Sequence, residues 1–175
     1  PALKPGQVFE GWQIDNLLGQ SQQSLLYRVH DGQGQPWLLK TLPGHLRDDT
    51  QAGQSLLSEE WFLRRVAGRQ FPEVHGVAQR QHLYYVMREY SGKTLAELFN
   101  QGGPLPLPQW QDLAQRLVHA VGLLHRRQIF HRDIKPENLH LGEDGELRLL
   151  DFGLAYCPGL SEDQANVLPG TPSYI

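Results

Sequence analysis

This 175-residue chain has a single cysteine, Cys157, and a single methionine, Met87. One cysteine excludes an intrachain disulfide, so the core must be held by packing, and it suits a reducing, cytoplasmic setting. Positive charge is short as well: 16 Lys and Arg stand against 19 Asp and Glu, for a formal net charge of -3. That removes the electrostatic case for nucleic acid or an anionic membrane surface as partner. No run of about 18 apolar residues appears, so no segment reads as membrane-spanning. The eight histidines show none of the spacings of a zinc site. What remains is an ordinary globular composition, 39% hydrophobic and 20% charged, of a length for one domain or two small lobes sharing a cleft. The chain starts at Pro1 without Met and stops at Ile175 inside a motif, which reads as a segment of something longer.

The first 90 residues read mostly as short strands. Val8 to Leu18 is one; a polar stretch from Gly19 to Ser24 separates it from Leu25 to His30. The turn Asp31-Gly32-Gln33-Gly34 leads into Trp37-Leu38-Leu39-Lys40. Leu56, Leu63 and Val66, with Glu59 on the same side, then fit one helical face bounded by Gly68. Val74 to Gln79 and His82 to Tyr90 read as two further strands, giving five strands and one helix. After the break at Gly102-Gly103-Pro104, the residues Trp110, Leu113, Leu117, Val121 and Leu124 recur at helical spacing. This predicts a long core-facing helix, followed by two short apolar runs around Glu143-Asp144-Gly145.

Chemistry enters with His131-Arg132-Asp133-Ile134-Lys135-Pro136-Glu137-Asn138 and, eighteen residues beyond Asp133, Asp151-Phe152-Gly153. The first matches the pattern H-R-D-L-x-x-x-N with Ile for Leu, and the second is D-F-G. Either alone is a short match, but together, with a hairpin between them, they resemble the catalytic loop and metal-binding segment of eukaryotic-like protein Ser/Thr kinases. The resemblance runs from about Val8 to Ile175. It implies an α+β, two-lobed kinase fold. The N-lobe would be a five-stranded antiparallel sheet plus one helix over residues 1–90, with the start of a mainly helical C-lobe over 91–175. It implies transfer of the ATP γ-phosphoryl to a protein Ser or Thr hydroxyl, with ATP and Mg²⁺ as cofactors.

The same resemblance assigns roles. Asp133 would orient the substrate hydroxyl and accept its proton; Lys135 would reach the transferred phosphate. Asn138 and Asp151 would hold Mg²⁺. Lys40 would pair with the α/β-phosphates and with a helix glutamate. Glu59 and Glu60 both qualify by type, and Glu59 is preferred because Leu63 and Val66 then fall where kinases place apolar core residues. Met87 would guard the back of the adenine pocket, and backbone groups of Arg88, Glu89 and Tyr90 would bond adenine at the hinge between lobes. Thr171, in Gly170-Thr171-Pro172, would bond Asp133 and Lys135. The phosphate-covering loop departs from the family's G-x-G-x-x-G-x-V: only Gly19 survives, with Ser21, Ser24 and Leu26 at the later positions. Leu38 stands where Ala usually roofs the adenine, and His140 where an apolar residue usually lies below it.

Four stretches carry a narrower likeness: Phe71 to His75, His82 to Tyr85, Asn138 to Leu141 and Ala155 to Gly159. They resemble the kinase half of bacterial proteins that fuse a metal-dependent Ser/Thr phosphatase to a kinase. That implies a fused or cognate phosphatase domain. Two rival readings use the same fold. One is a pseudokinase, a nucleotide-binding regulatory module without turnover. The other is a small-molecule kinase of the aminoglycoside or choline type.

Overall fold

The structure, a computed structural model, describes residues 2–77, 79–103 and 105–160. The chain divides into two compact units: Pro1–Arg64 with Glu73–Glu89, and Arg65–Pro72 with Tyr90–Ile175.

The first unit is an antiparallel sheet with one long helix. Its strands are β1 (Val8–Phe9), β2 (Trp12–Gln20), β3 (Leu25–His30), β4 (Pro36–Thr41), β5 (Val74–His75) and β6 (Tyr84–Arg88), in the order β1-β2-β3-β4-β6-β5. Five strands were expected and six are found, because the first breaks at Glu10-Gly11, where both residues take positive φ (53° and 86°) and turn the chain back on itself. Glycine makes such a turn without a Cβ penalty. The two later strands are also shorter than the apolar pattern suggested.

Side chains alternate across a strand, so the sheet has two distinct faces. Leu25, Tyr27 and Val29 on β3, Leu39 on β4, and Tyr84 and Val86 on β6 join Phe9, Trp12 and Ile14 in the apolar core. The register Leu26↔Lys40↔Tyr85 and Arg28↔Leu38↔Met87 puts the intervening residues on the opposite face. Helix α1 (Thr50–Arg65) starts at Asp49, whose Oδ1 accepts the Ala52 N–H at 2.8 Å. It buries Leu56, Glu59, Glu60, Phe62 and Leu63.

The second unit holds a small sheet, β7 (Gly92–Thr94), β8 (Leu139–Gly142) and β9 (Leu147–Leu149), in the order β7-β8-β9. It also holds helices α2 (Leu95–Gly102) and α3 (Leu107–His125). Neither β7 nor α2 was read from the sequence. Yet α2 opens on a capping box: the Glu97 N–H donates to Thr94 Oγ1 at 3.2 Å, and the Thr94 N–H donates to Glu97 Oε2 at 2.7 Å. Along α3, Leu113, Ala120 and Leu124 are buried. Trp110, counted as core-facing from its spacing, is 39% exposed and rests against Phe99 of α2 with ring centroids 5.2 Å apart. Residues 65–72 cluster with this unit rather than the first. Phe71 packs edge-on against Phe152 at 6.0 Å, and the Leu149 N–H donates to the Gln70 carbonyl at 2.9 Å. No helix among the described residues is long and apolar enough to cross a membrane.

Two glycines test this packing differently. Gly92 sits at φ 139°, and a Cβ there would come within 2.2 Å of the Leu141 carbonyl oxygen. At Gly19 a Cβ would meet only Leu26 Cβ, at 3.9 Å. Gly92→Ala should therefore cost roughly 3 kcal/mol in urea unfolding, while Gly19→Ala should stay within about 1 kcal/mol of wild type. Equal stability of the two variants would contradict the register of β7 on β8.

Candidate active site

On the second face of the first sheet, Lys40 Nζ lies 2.6 Å from Glu59 Oε2. The Tyr85 hydroxyl donates to the same oxygen at 2.9 Å. Lys40 and Tyr85 are neighbours across β4 and β6, so one helix carboxylate gathers two donors from adjacent strands. Both ends of the pair are shielded, with side-chain exposures of 14% and 10%. The competing glutamate is committed elsewhere. Glu60 accepts from Arg64, one helical turn on, and from Arg80 at 2.8 and 2.9 Å. Burial works to raise the Glu60 carboxyl pKa, but the hydrogen bonds from Arg80 and Arg64 outweigh it and hold the group below its ordinary value.

Leu26, Leu38 and Met87 share that face, whereas Arg88 alternates to the other. Gly19 pairs with Leu26, Leu26 with Lys40, and Leu38 with Met87. Ser21 and Ser24 form the tip of the β2–β3 hairpin, where the Ser21 N–H donates to the Ser24 carbonyl at 2.9 Å. Arg88 donates its N–H to the Glu73 carbonyl. Glu89 grips Arg28 through both carboxylate oxygens, each 2.9 Å from Nε.

In the second unit both backbone groups of Leu150 tie the two linear motifs together. Its N–H donates to the Asn138 carbonyl at 2.8 Å, and its carbonyl accepts from His131 Nε2 at 2.7 Å. His131 Nδ1 in turn accepts the Asp133 N–H at 3.2 Å, so the ring is neutral with its proton on Nε2. Burial pushes its pKa down, in keeping with that state. Phe152 stacks edge-on against the His131 ring at 5.0 Å. Thus the residue before Asp151 is fixed at both its backbone groups by the loop that carries Asp133.

Around Asp133, the Asn138 Nδ2 donates to its carbonyl at 2.9 Å and to Oδ2 at 3.1 Å. Lys135 Nζ stands 3.4 Å from the same Oδ2. Asp133 and Asn138 are buried, whereas Asp151 is exposed. Asp151 takes φ 56°, and its Oδ1 accepts the Gly153 N–H at 3.0 Å. His140 lies on β8 between Thr94 and Arg148. Burial and, after it, the Arg148 charge lower its pKa below the ordinary imidazole value. Tyr90 carries the Arg148 guanidinium over its ring at 3.7 Å. Thr171 lies outside the described residues.

Residues 12–175 match the protein kinase domain family model. The chain belongs to the protein kinase domain family. Its curated relatives include CBL-interacting protein kinase 30 of Oryza sativa subsp. japonica, 30% identical over 97% of this chain and 37% of the relative. CBL-interacting protein kinase 12 of the same plant is 37% identical over 97% of this chain and 32% of its own length. The chain thus spans about a third of the length of the curated relatives it matches. Among solved structures, a mutant form of the PknI kinase domain of Mycobacterium tuberculosis superposes with a TM-score of 0.67 at 26% identity, covering 87% of this chain and 64% of that one. The two-lobed kinase fold follows from both comparisons.

Within this kinase domain, sequence reasoning missed Tyr85 and Arg80. Tyr85 was legible from alternation, two positions before Met87 on one strand. Arg80 sits in an irregular stretch, where no periodicity marks a buried partner. The division of labour between the two glutamates is open to measurement. Glu60→Gln should lower unfolding stability by about 3 kcal/mol at pH 7, because Arg80 loses its carboxylate. A carboxyl with a depressed folded pKa contributes stability above its unfolded value of 4.5, lost as pH falls through the lower folded value. The Glu60→Gln variant should accordingly lose less stability than wild type as pH drops below 4.5. Parallel stability curves for the two would show that Glu60 is not ion-paired.

Proposed function

We propose that the protein containing this chain is an ATP- and Mg²⁺-dependent Ser/Thr protein kinase. In this reading Lys40, Glu59, Asp133, Lys135, Asn138 and Asp151 hold the roles their positions imply. The observation that carries it is the double attachment of Leu150, which sets Asp151 against the loop of Asp133 and Asn138. Phosphoryl transfer asks little covalent chemistry of a protein and much positioning.

The oxygen donors suit a hard cation. The Asn138 amide nitrogen is turned to Asp133, which leaves its carbonyl oxygen for a metal, and Asp151 is an exposed carboxylate. Among the described residues no cluster of three or more His, Cys, Asp or Glu forms a complete metal cage. Two protein donors, with phosphates and water supplying the rest, are the usual arrangement for Mg²⁺. When bound, the ion neutralises charge on the β- and γ-phosphates. Asp133 orients the attacking hydroxyl and takes its proton. Lys135, beside it, presents a cation to the transferred phosphoryl. Lys40, held by Glu59, does the same for the α/β-phosphates. Gly19 fits a role in close approach, since nothing in the fold around it demands a glycine.

The setting proposed is cytoplasmic, and the substrate a protein Ser or Thr. On the four segments that resemble the fusion proteins, a cognate phosphatase reverses the modification. One second reading has an observation behind it: the hydroxyl-closed Ser21–Ser24 loop favours a nucleotide-binding module without turnover. Transfer of labelled γ-phosphate by the full-length protein separates the two. Asp133→Asn and Asp151→Asn should each lower turnover at least about a hundredfold, the cost of losing a transition-state contact worth on the order of 3 kcal/mol. Near-wild-type turnover in either variant contradicts the mechanism. Binding of nucleotide without transfer by the wild-type protein selects the module.

A further inference from the structure

The hairpin tip between β2 and β3 carries an arrangement that the kinase reading leaves unexplained. The backbone N–H groups of Gln23 and Ser24 both point at Ser21 Oγ, at 3.2 and 3.0 Å. The hydroxyl accepts both and has one proton to give. Ser24 offers it two acceptors, the carbonyl oxygen at 3.4 Å and the hydroxyl at 3.2 Å. The oxygen is thereby saturated, with two bonds accepted and one donated. Two successive amides converging on one oxygen is the geometry with which a backbone nest holds an anionic oxygen.

Packing does not impose this shape. Residues 21–23 are exposed, and the tip borders an open, mostly polar cavity of about 760 Å³ lined also by His45, Asp49, Gln51 and Ser55. Among the described contacts, the bonds within residues 21–24 are what close the loop.

We propose that the Ser21 hydroxyl is a built-in competitor for phosphate. In the nucleotide-free protein it occupies the two amides that the loop would otherwise offer a phosphate oxygen, so Ser21 sets how strongly the site prefers a triphosphate to the bare nucleoside. This rests on the kinase reading, which places the loop over the phosphates. A charged phosphate oxygen makes stronger bonds to N–H groups than a neutral hydroxyl does, so ATP displaces Ser21. The gain is smaller than in a loop with glycine at that position, where the same amides face only water. Ser21 is a positioning residue: it acts through the amides of Gln23 and Ser24.

The test uses the full-length protein and three forms of residue 21: wild type, Ser21→Ala and Ser21→Thr. Alanine removes the hydroxyl without adding glycine's backbone freedom, and threonine restores it. In the absence of nucleotide, amide exchange at Gln23 and Ser24 should quicken several-fold in Ser21→Ala and return towards wild type in Ser21→Thr. With Mg²⁺ present, ATP should bind Ser21→Ala about five- to tenfold more tightly, the equivalent of one or two neutral hydrogen bonds released, and adenosine should bind all three forms equally. Unchanged exchange overturns the proposal, as does weaker ATP binding by Ser21→Ala or an equal shift for ATP and adenosine. If exchange responds as expected but no form binds ATP or adenosine, the kinase reading itself fails, and the competitor role falls with it.

Discussion

A lysine ammonium set into a sheet face with 14% of its side chain exposed is stable only where a carboxylate meets it. The pairing of Lys40 with Glu59 is that meeting, and much of the first unit is arranged to permit it. Lys40 must point away from the apolar core, which the strict alternation of β4 secures: Leu39 is buried among Tyr27 and Val86, and its neighbours turn the other way. Glu59 must project from α1 beside residues that are themselves buried, and Leu56, Phe62 and Leu63 anchor that side of the helix. Tyr85 adds a second donor to the carboxylate. A register slip of one residue in β4 or β6 would send Lys40 or Tyr85 into the core, so the ion pair and the core enforce the same alignment.

The second unit solves a comparable problem with backbone groups. Asp133 and Asp151 lie on separate segments, and charged carboxylates supply no packing to hold those segments together. Leu150 does so instead, with its N–H on Asn138 and its carbonyl on His131. The neutral state of His131 belongs to this design: a ring that accepts from Asp133 and donates to Leu150 needs one nitrogen of each kind. Further along β9, Arg148 is clamped by Asp144, whose pKa the guanidinium and the Glu146 N–H hold down to about 2. The same guanidinium covers the ring of Tyr90. Positive φ at Arg132 and Asp151, neither a glycine, marks where the chain accepts strain to aim these loops.

Much of this was legible in the sequence, for identifiable reasons. The catalytic-loop and D-F-G segments are contiguous, so their residues are fixed by local spacing alone. Glu59 could be preferred over Glu60 because helical period turns adjacent residues toward different partners: both are buried, but Glu59 meets Lys40 and Glu60 meets Arg64 and Arg80. The break at Glu10-Gly11 was missed because an apolar strand pattern continues on both sides of a two-residue turn. Helix α2 was missed because it is only eight residues long and its hydrophobic period barely completes two turns. Its Thr94-Leu95-Ala96-Glu97 capping box was the available signal. The Ser21 contacts were out of reach, since a serine hydroxyl that turns back on its own loop leaves no periodic trace. The serine substitution itself was visible, but not that its oxygen would accept the Gln23 and Ser24 amides.

The proposed kinase function requires Lys40 and Lys135 each to lie against the phosphates of a bound nucleotide. An acyl-phosphate derivative of ATP, which acylates amines lying against its phosphates, tests this in one measurement on the full-length protein. The chain has four lysines: Lys4, Lys40, Lys93 and Lys135. Peptide mass spectrometry should find acylation at Lys40 and Lys135, suppressed by excess ATP, with Lys4 and Lys93 labelled only at the background rate of any surface amine. Labelling confined to Lys4 and Lys93, or labelling of Lys40 and Lys135 that ATP does not suppress, would contradict it.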